Sequence, residues 1–168
     1  MTTIIHNLIQ NAPTRKIESS LSRRIHLVDI ENLVGEACLT KQAVAGARAR
    51  YLSEVPVGPL DQVVVATSSS QNLLASALGW PGARYLEKDG QDGADICLAE
   101  VMCSENLESR FDSAVVASGD GGLAPSVARL ASRGIRTIVV SNSHSLSRKM
   151  RLAAHMSIVF EPQHELVA

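Results

Sequence analysis

Residues 115 to 125 read VVASGDGGLAP, an apolar run that passes into Ser118-Gly119-Asp120-Gly121-Gly122. Glycines suit a turn, but a lone carboxylate held between them at the end of a buried run needs a further reason. Asp29 ends another apolar run in HLVDIENL, and Asp95 opens a helix-like stretch in GADICLA. A carboxylate at the end of a central strand is costly unless something satisfies it. Two ionised carboxylates about 4 Å apart repel by about 4 kcal/mol at an effective dielectric near 20. Three that converge therefore call for a cation or for raised pKa values. A hard divalent ion with oxygen ligands, Mg²⁺ or Mn²⁺, is the simplest remedy. Each acid also has an ordinary use: Asp92 and Asp95 as helix caps that favour the dipole, and Asp120 as a turn residue or N-cap.

Convergence depends on the elements that carry these residues. Short apolar runs at 25–30, 62–67, 83–87, 113–118, 135–140 and 156–160 read as strands, mostly β-branched or continuously apolar, as strands buried on both faces should be. Helix-like stretches lie between them. Thr40 N-caps one, Gly134 closes another, and Ala94, Cys97, Leu98 and Val101 share one face of the helix after Asp92. The alternation predicts an α/β fold, three-layered and Rossmann-like, with about six mostly parallel strands and right-handed crossovers. In the order 3-2-1-4-5-6, strands one and four adjoin where the order reverses, and ligands collect at the carboxyl ends of strands at such a switch. Asp29 and Asp120 then share one crevice, and the helix bearing Asp95 opens at the same end.

The 168 residues suit one domain, assigned here to 25–168, behind a polar, basic arm over 1–24 in which Ile4, Ile5, Leu8 and Ile9 could dock as a short helix. A net charge of −1 supplies no global field toward nucleic acid or membrane, so any such contact needs a local basic patch. Arg148, Lys149 and Arg151 form one, suited either to RNA phosphates or to a solvated helix face. Arg23 and Arg24 either extend that surface or belong to the arm. Cys38, Cys97 and Cys103 lack CxxC spacing, and no apolar run is long enough to span a bilayer, so the expected location is the cytoplasm with no membrane partner. GxxxxGK[ST] and GxGxxG are absent, so no nucleotide cofactor is expected. The five histidines show no metal spacing; His144 reads as a loop residue and Trp80 as helix-end packing. A homodimer is compatible with the sequence.

Four stretches carry a resemblance: DIEN (29–32), GADICLA (93–99), SGD (118–120) with LAPSVARLASRGIRTIVV after it, and SLSRKMRLAAH (145–155). In this order they resemble a NYN domain, the LabA-like branch of the PIN-like nuclease superfamily, over about residues 25 to 160. The resemblance implies hydrolysis of RNA with Mg²⁺ or Mn²⁺ held by Asp29, Asp95 and Asp120. It makes Asn32 a support for the first carboxylate or the scissile phosphate, and Ser118 a partner of Asp120 or of phosphate. Arg148 and Lys149 would bind substrate. Family members often read S-G-D-x-D-F, whereas this chain has Gly122 and Leu123, and an acid common near position 101 is Val101, with Glu100 beside it. Fewer carboxylates imply weaker metal binding, with one ion rather than two.

Two other readings stand beside this one. A catalytically silent NYN-like domain would bind RNA or act as a scaffold. A haloacid-dehalogenase-like phosphatase would use Asp29 as nucleophile and GDG at 119–121 for Mg²⁺, but its D-x-D-G-T motif is here D-I-E-N-L.

Overall fold

The computed structural model describes residues 22–160. The arm expected over 1–24 lies outside them except for residues 22–24, and of these Arg24 already belongs to the sheet. Six strands, β1 (Arg24–Asp29), β2 (Gln62–Thr67), β3 (Arg84–Glu87), β4 (Ser113–Ala117), β5 (Arg136–Asn142) and β6 (Met156–Phe160), form one parallel sheet. Their order, β3-β2-β1-β4-β5-β6, is the expected one. The helices are α1 (Ile30–Val34), α2 (Lys41–Glu54), α3 (Ser70–Gly79), α4 (Gly93–Ser104), α5 (Ala124–Ser132) and α6 (Arg148–Ala153).

Alternation along each strand divides the core between the two faces of the sheet. Leu27, Val64, Val116 and Val139 pack on one face with Leu98 and Met102 of α4, Val127 of α5 and Met150 of α6. Val28, Val65, Val115 and Val140 pack on the other with Leu33 of α1, Val44 and Tyr51 of α2, and Trp80 at the end of α3. Burial on both faces explains why the strands read as continuous apolar runs.

β1 lies in the middle of the sheet and carries Asp29 at its carboxyl end. Its amino end is clamped by Asp61, whose carboxylate accepts hydrogen bonds from Arg24 N (2.8 Å) and Gly58 N (2.8 Å) and pairs with the Arg24 guanidinium at 3.0 Å. Fully buried His26 lies 3.2 Å from the same carboxylate through Nε2 and 2.7 Å from the Tyr51 hydroxyl through Nδ1. Burial pushes His26 below its ordinary value against the pull of Asp61. A neutral ring that donates from Nε2 and accepts the Tyr51 proton at Nδ1 satisfies all three groups. Burial alone would raise Asp61, but the N–H donors of Gly58, Arg24 and His26, with the Arg24 charge, hold it below the usual carboxylate range. Arg23 and Arg24 therefore stand at the amino ends of the strands, away from Asp29, where Arg23 N donates to Asp112 at 2.8 Å.

Replacing Asp61 by alanine strands Arg24 and His26 without their acceptor. The expected loss is about 3–5 kcal/mol, measured by urea unfolding. A loss under about 1 kcal/mol would show that the clamp does not hold β1.

Candidate functional site

β1 stops at Asp29 rather than at Ile30, because Asp29 is the N-cap of the short helix α1. Its extended backbone turns the chain, and its Oδ1 accepts from Asn32 N at 3.1 Å. Ile30 and Leu33 bury the inner side of this helix, and Gly35, at φ 86°, closes it. Asn142 at the end of β5 donates to the carbonyl of Leu33 at 3.2 Å, which ties α1 across the end of β4. The Asn32 side chain faces the fourth strand: its Oδ1 accepts from Gly119 N at 3.0 Å.

The loop after β4 is seated by close approach. A Cβ on Gly119 would lie 2.1 Å from the carbonyl oxygen of Ser145 and 2.4 Å from Ser141 Oγ, so only glycine fits between the two loops. Ser147 N donates to the Gly119 carbonyl at 2.9 Å. Ser118 is fully buried, and its hydroxyl joins the two acid-bearing segments, donating to Asp29 Oδ2 at 3.4 Å and accepting from Asp120 N at 3.2 Å. Asp120 is exposed and caps a short 3-10 turn over Gly121–Leu123, with Oδ1 accepting from Gly122 N at 2.8 Å.

Asp95 enters from α4. Gly93 begins that helix in a space where a Cβ would sit 1.7 Å from the Lys88 carbonyl oxygen, which pins the helix start against the carboxyl end of the sheet. Asp95 stands in the first turn, half-buried, and its Oδ1 is buried with no hydrogen-bond partner among the described residues. Its Oδ2 borders Gly122, where a Cβ would lie 3.5 Å from it and 3.3 Å from Asp120 Oδ1. Gly122 thus leaves open a space bounded by two carboxylates. Val101, one position often acidic in the resembling family, is 3 % exposed within the core, and Leu123 is 1 % exposed. Both positions serve packing here.

The fields of the acids overlap. Burial pushes Asp29 up to about 7, with Asp95 and then Glu31 adding to the rise, while Asn32 N–H and the Ser118 hydroxyl oppose it. Burial likewise raises Asp95 to about 6, helped by Asp120 and Asp92. None of the three has an ion-pair partner among the described residues. Nor, among those residues, do three His, Cys, Asp or Glu side chains close on one point as a ready metal cluster.

Two further residues border this region. Lys149 is exposed, and its Cδ lies 3.5 Å from where a Gly121 Cβ would be, so it lines the Asp120 loop; Arg148 opens α6 beside it, also exposed. Glu31 has a positioning part that its sequence context did not suggest. Its Oε1 accepts from the Thr67 hydroxyl, Ser68 N (3.0 Å) and Asn72 Nδ2 (2.9 Å), which stitches α1 to the end of β2 and to α3. The one available signal was its place in DIEN, between a cap and that cap's partner.

The sequence pattern of the NYN domain family matches residues 47–161, more than half of the chain. The chain belongs to the NYN domain family. A solved protein of unknown function from Vibrio parahaemolyticus has a similar fold, with a TM-score of 0.59 at 15% identity, over 83% of this chain and 93% of that one. Curated proteins give no match. The family span takes in Asp95, Ser118, Asp120, Arg148 and Lys149, whereas Asp29 and Asn32 precede it and are joined to that segment by geometry alone. Among the described residues no helix is long and apolar enough to cross a membrane.

Asp29 binds a proton in the folded protein up to about pH 7, but in the unfolded chain only to the ordinary carboxylate range. Its burial therefore costs stability that grows as pH rises from about 4 through 7. Asp29→Asn keeps an acceptor for Asn32 N and removes the charge. It is expected to unfold later than the parent at about pH 8, by on the order of 2–4 kcal/mol, and to show no such gain near pH 4. Urea melts at the two pH values decide this, and a pH-independent difference would refute it.

Proposed function

We propose that this NYN domain is a metal-dependent ribonuclease that hydrolyses RNA phosphodiester bonds at the crevice of Asp29, Asp95 and Asp120. The observation that carries the reading is three carboxylates at the sheet switch point with no ion-pair partner among the described residues, two of them with raised pKa values. A scaffold without chemistry there gains nothing from that repulsion. The residues fit Mg²⁺ or Mn²⁺: the donors are all oxygen, Asp95 Oδ1 lacks a partner, and Gly122 leaves the space between Asp95 and Asp120 open. Mg²⁺ commonly takes only one or two carboxylates and completes its shell with water and phosphate, so a preformed three-residue cluster is not required.

When bound, the ion supplies the Lewis acid that activates water and offsets charge on phosphate oxygens. Asp95 and Asp120 are the residues to hold it, with Asp29 beside them. Lys149 and Arg148 receive the substrate phosphates as exposed cations at the rim. Asn32 and Ser118 keep the segments of Asp29 and Asp120 in register through Gly119 N, Asp120 N and Asp29 Oδ2. Asp95, and Asp29 beside it, would have to give up their protons to hold an ion, so affinity would rise between about pH 6 and 8. A second reading, a silent RNA-binding or scaffolding domain, is favoured by Val101 in the core and glycine at 122. The phosphatase reading has no support in the NYN membership.

Cleavage of a labelled RNA in Mn²⁺, with Asp120→Asn prepared in parallel, separates these readings. Loss of at least about 100-fold in the variant is expected. RNA retention without cleavage by the parent, across several RNAs, would instead favour the silent fold, and equal cleavage by both would remove the site from the chemistry.

A further inference from the structure

A second concavity opens at the other end of the sheet, beside the amino ends of β2 and β3. It is an open groove of about 560 Å³, lined by Arg48 and Leu52 of α2, Val57, Trp80, Pro81 and Arg84, with Asp61 among its lining residues. The volume falls within the roughly 300–1,000 Å³ of small-molecule sites.

The charges on its wall are unequally committed. Asp61 is held by Arg24 and His26, and Arg84 reaches both carboxylate oxygens of Glu105 through Nη1, at 2.7 and 2.9 Å. Arg48 has no carboxylate partner among the described residues, and its Nε is buried without an acceptor. A buried donor left unmade is costly, and a guanidinium fork matches the paired oxygens of a carboxylate or phosphate. Leu52, Val57 and Pro81 supply an apolar wall next to it. Trp80 is 2 % exposed and packs on Tyr51, so it offers no open face for stacking. The room favours a compact body over a stacked base.

We propose that this groove binds a small organic anion, a phosphate or carboxylate carried on a compact apolar group, with Arg48 as its cation. The site is independent of the nuclease reading, since it lies at the amino ends of β2 and β3, at the opposite end of the sheet from Asp29 and Asp120.

Trp80, the only tryptophan of the chain, provides the readout. Its emission and calorimetry follow titration of the full chain with phenyl phosphate, benzoate and inorganic phosphate, with phenol as neutral control. Saturable binding of phenyl phosphate or benzoate is expected, tighter than that of inorganic phosphate or phenol, and the tighter of the two identifies the head group. Arg48→Ala should weaken it by about tenfold or more, as loss of a charge-assisted pair implies. Arg48→Gln keeps much of the stem against the groove and gives the same readout should the alanine chain fold poorly. No saturable binding of either organic anion, or equal binding by both variants and the parent, would overturn the proposal.

Discussion

A carboxylate buried at the carboxyl end of the central strand, with no ion-pair partner among the described residues, sets the terms for the rest of this structure. Asp29 is 7 % exposed and lies in the field of Asp95 and Glu31, so its charged form is disfavoured in the fold. What keeps it in place is a set of oriented donors. Asn32 N meets one oxygen and Ser118 the other, while the Asn32 and Ser118 side chains also hold the backbone of the Asp120 loop. The clamp at Asp61 fixes the opposite end of the same strand. The energetic cost is concentrated where β1 and β4 diverge, and the packed layers on both faces bear it.

Much of this organisation was legible in the residues. β2 and β6 were read to their observed ends because QVVVAT and MSIVF are short runs rich in β-branched and apolar residues, Val63 to Val65 in one and Ile158 to Phe160 in the other. β-α alternation indicated a doubly wound sheet, and the order 3-2-1-4-5-6 taken for that class, which is the observed one, put Asp29 and Asp120 at one switch point. α1 was not legible: five residues carry too little period to register, and the buried Ile30 prolongs the apolar run of β1. The spacing of Ala94, Cys97, Leu98 and Val101 did indicate the buried side of α4, and Val101 lies on it.

The supporting contacts were beyond reach for a physical reason. Ser118 meets Asp29 across 89 positions and Gly119 meets Asn32 across 87, so neither partner is implied by local spacing. Glu31 likewise acts through Thr67, Ser68 and Asn72, on elements that adjoin only once the sheet is built. His26 gave no sign of its bonds to Tyr51 and Asp61, because a lone histidine in an apolar strand has no periodic signature. NYN membership covers Asp95 and Asp120, and the parallel pairing of β1 with β4 is what brings Asp29 to them.

The most direct test of the central claim is Mn²⁺ uptake by calorimetry at about pH 7.5, with proton release followed in buffers of different ionisation heat. The parent chain should take up a saturable ion with release of protons from the raised carboxyls. Asp95→Asn should bind it at least about tenfold more weakly. Equal uptake by parent and variant, or none at millimolar Mn²⁺, would contradict a metal held at this crevice.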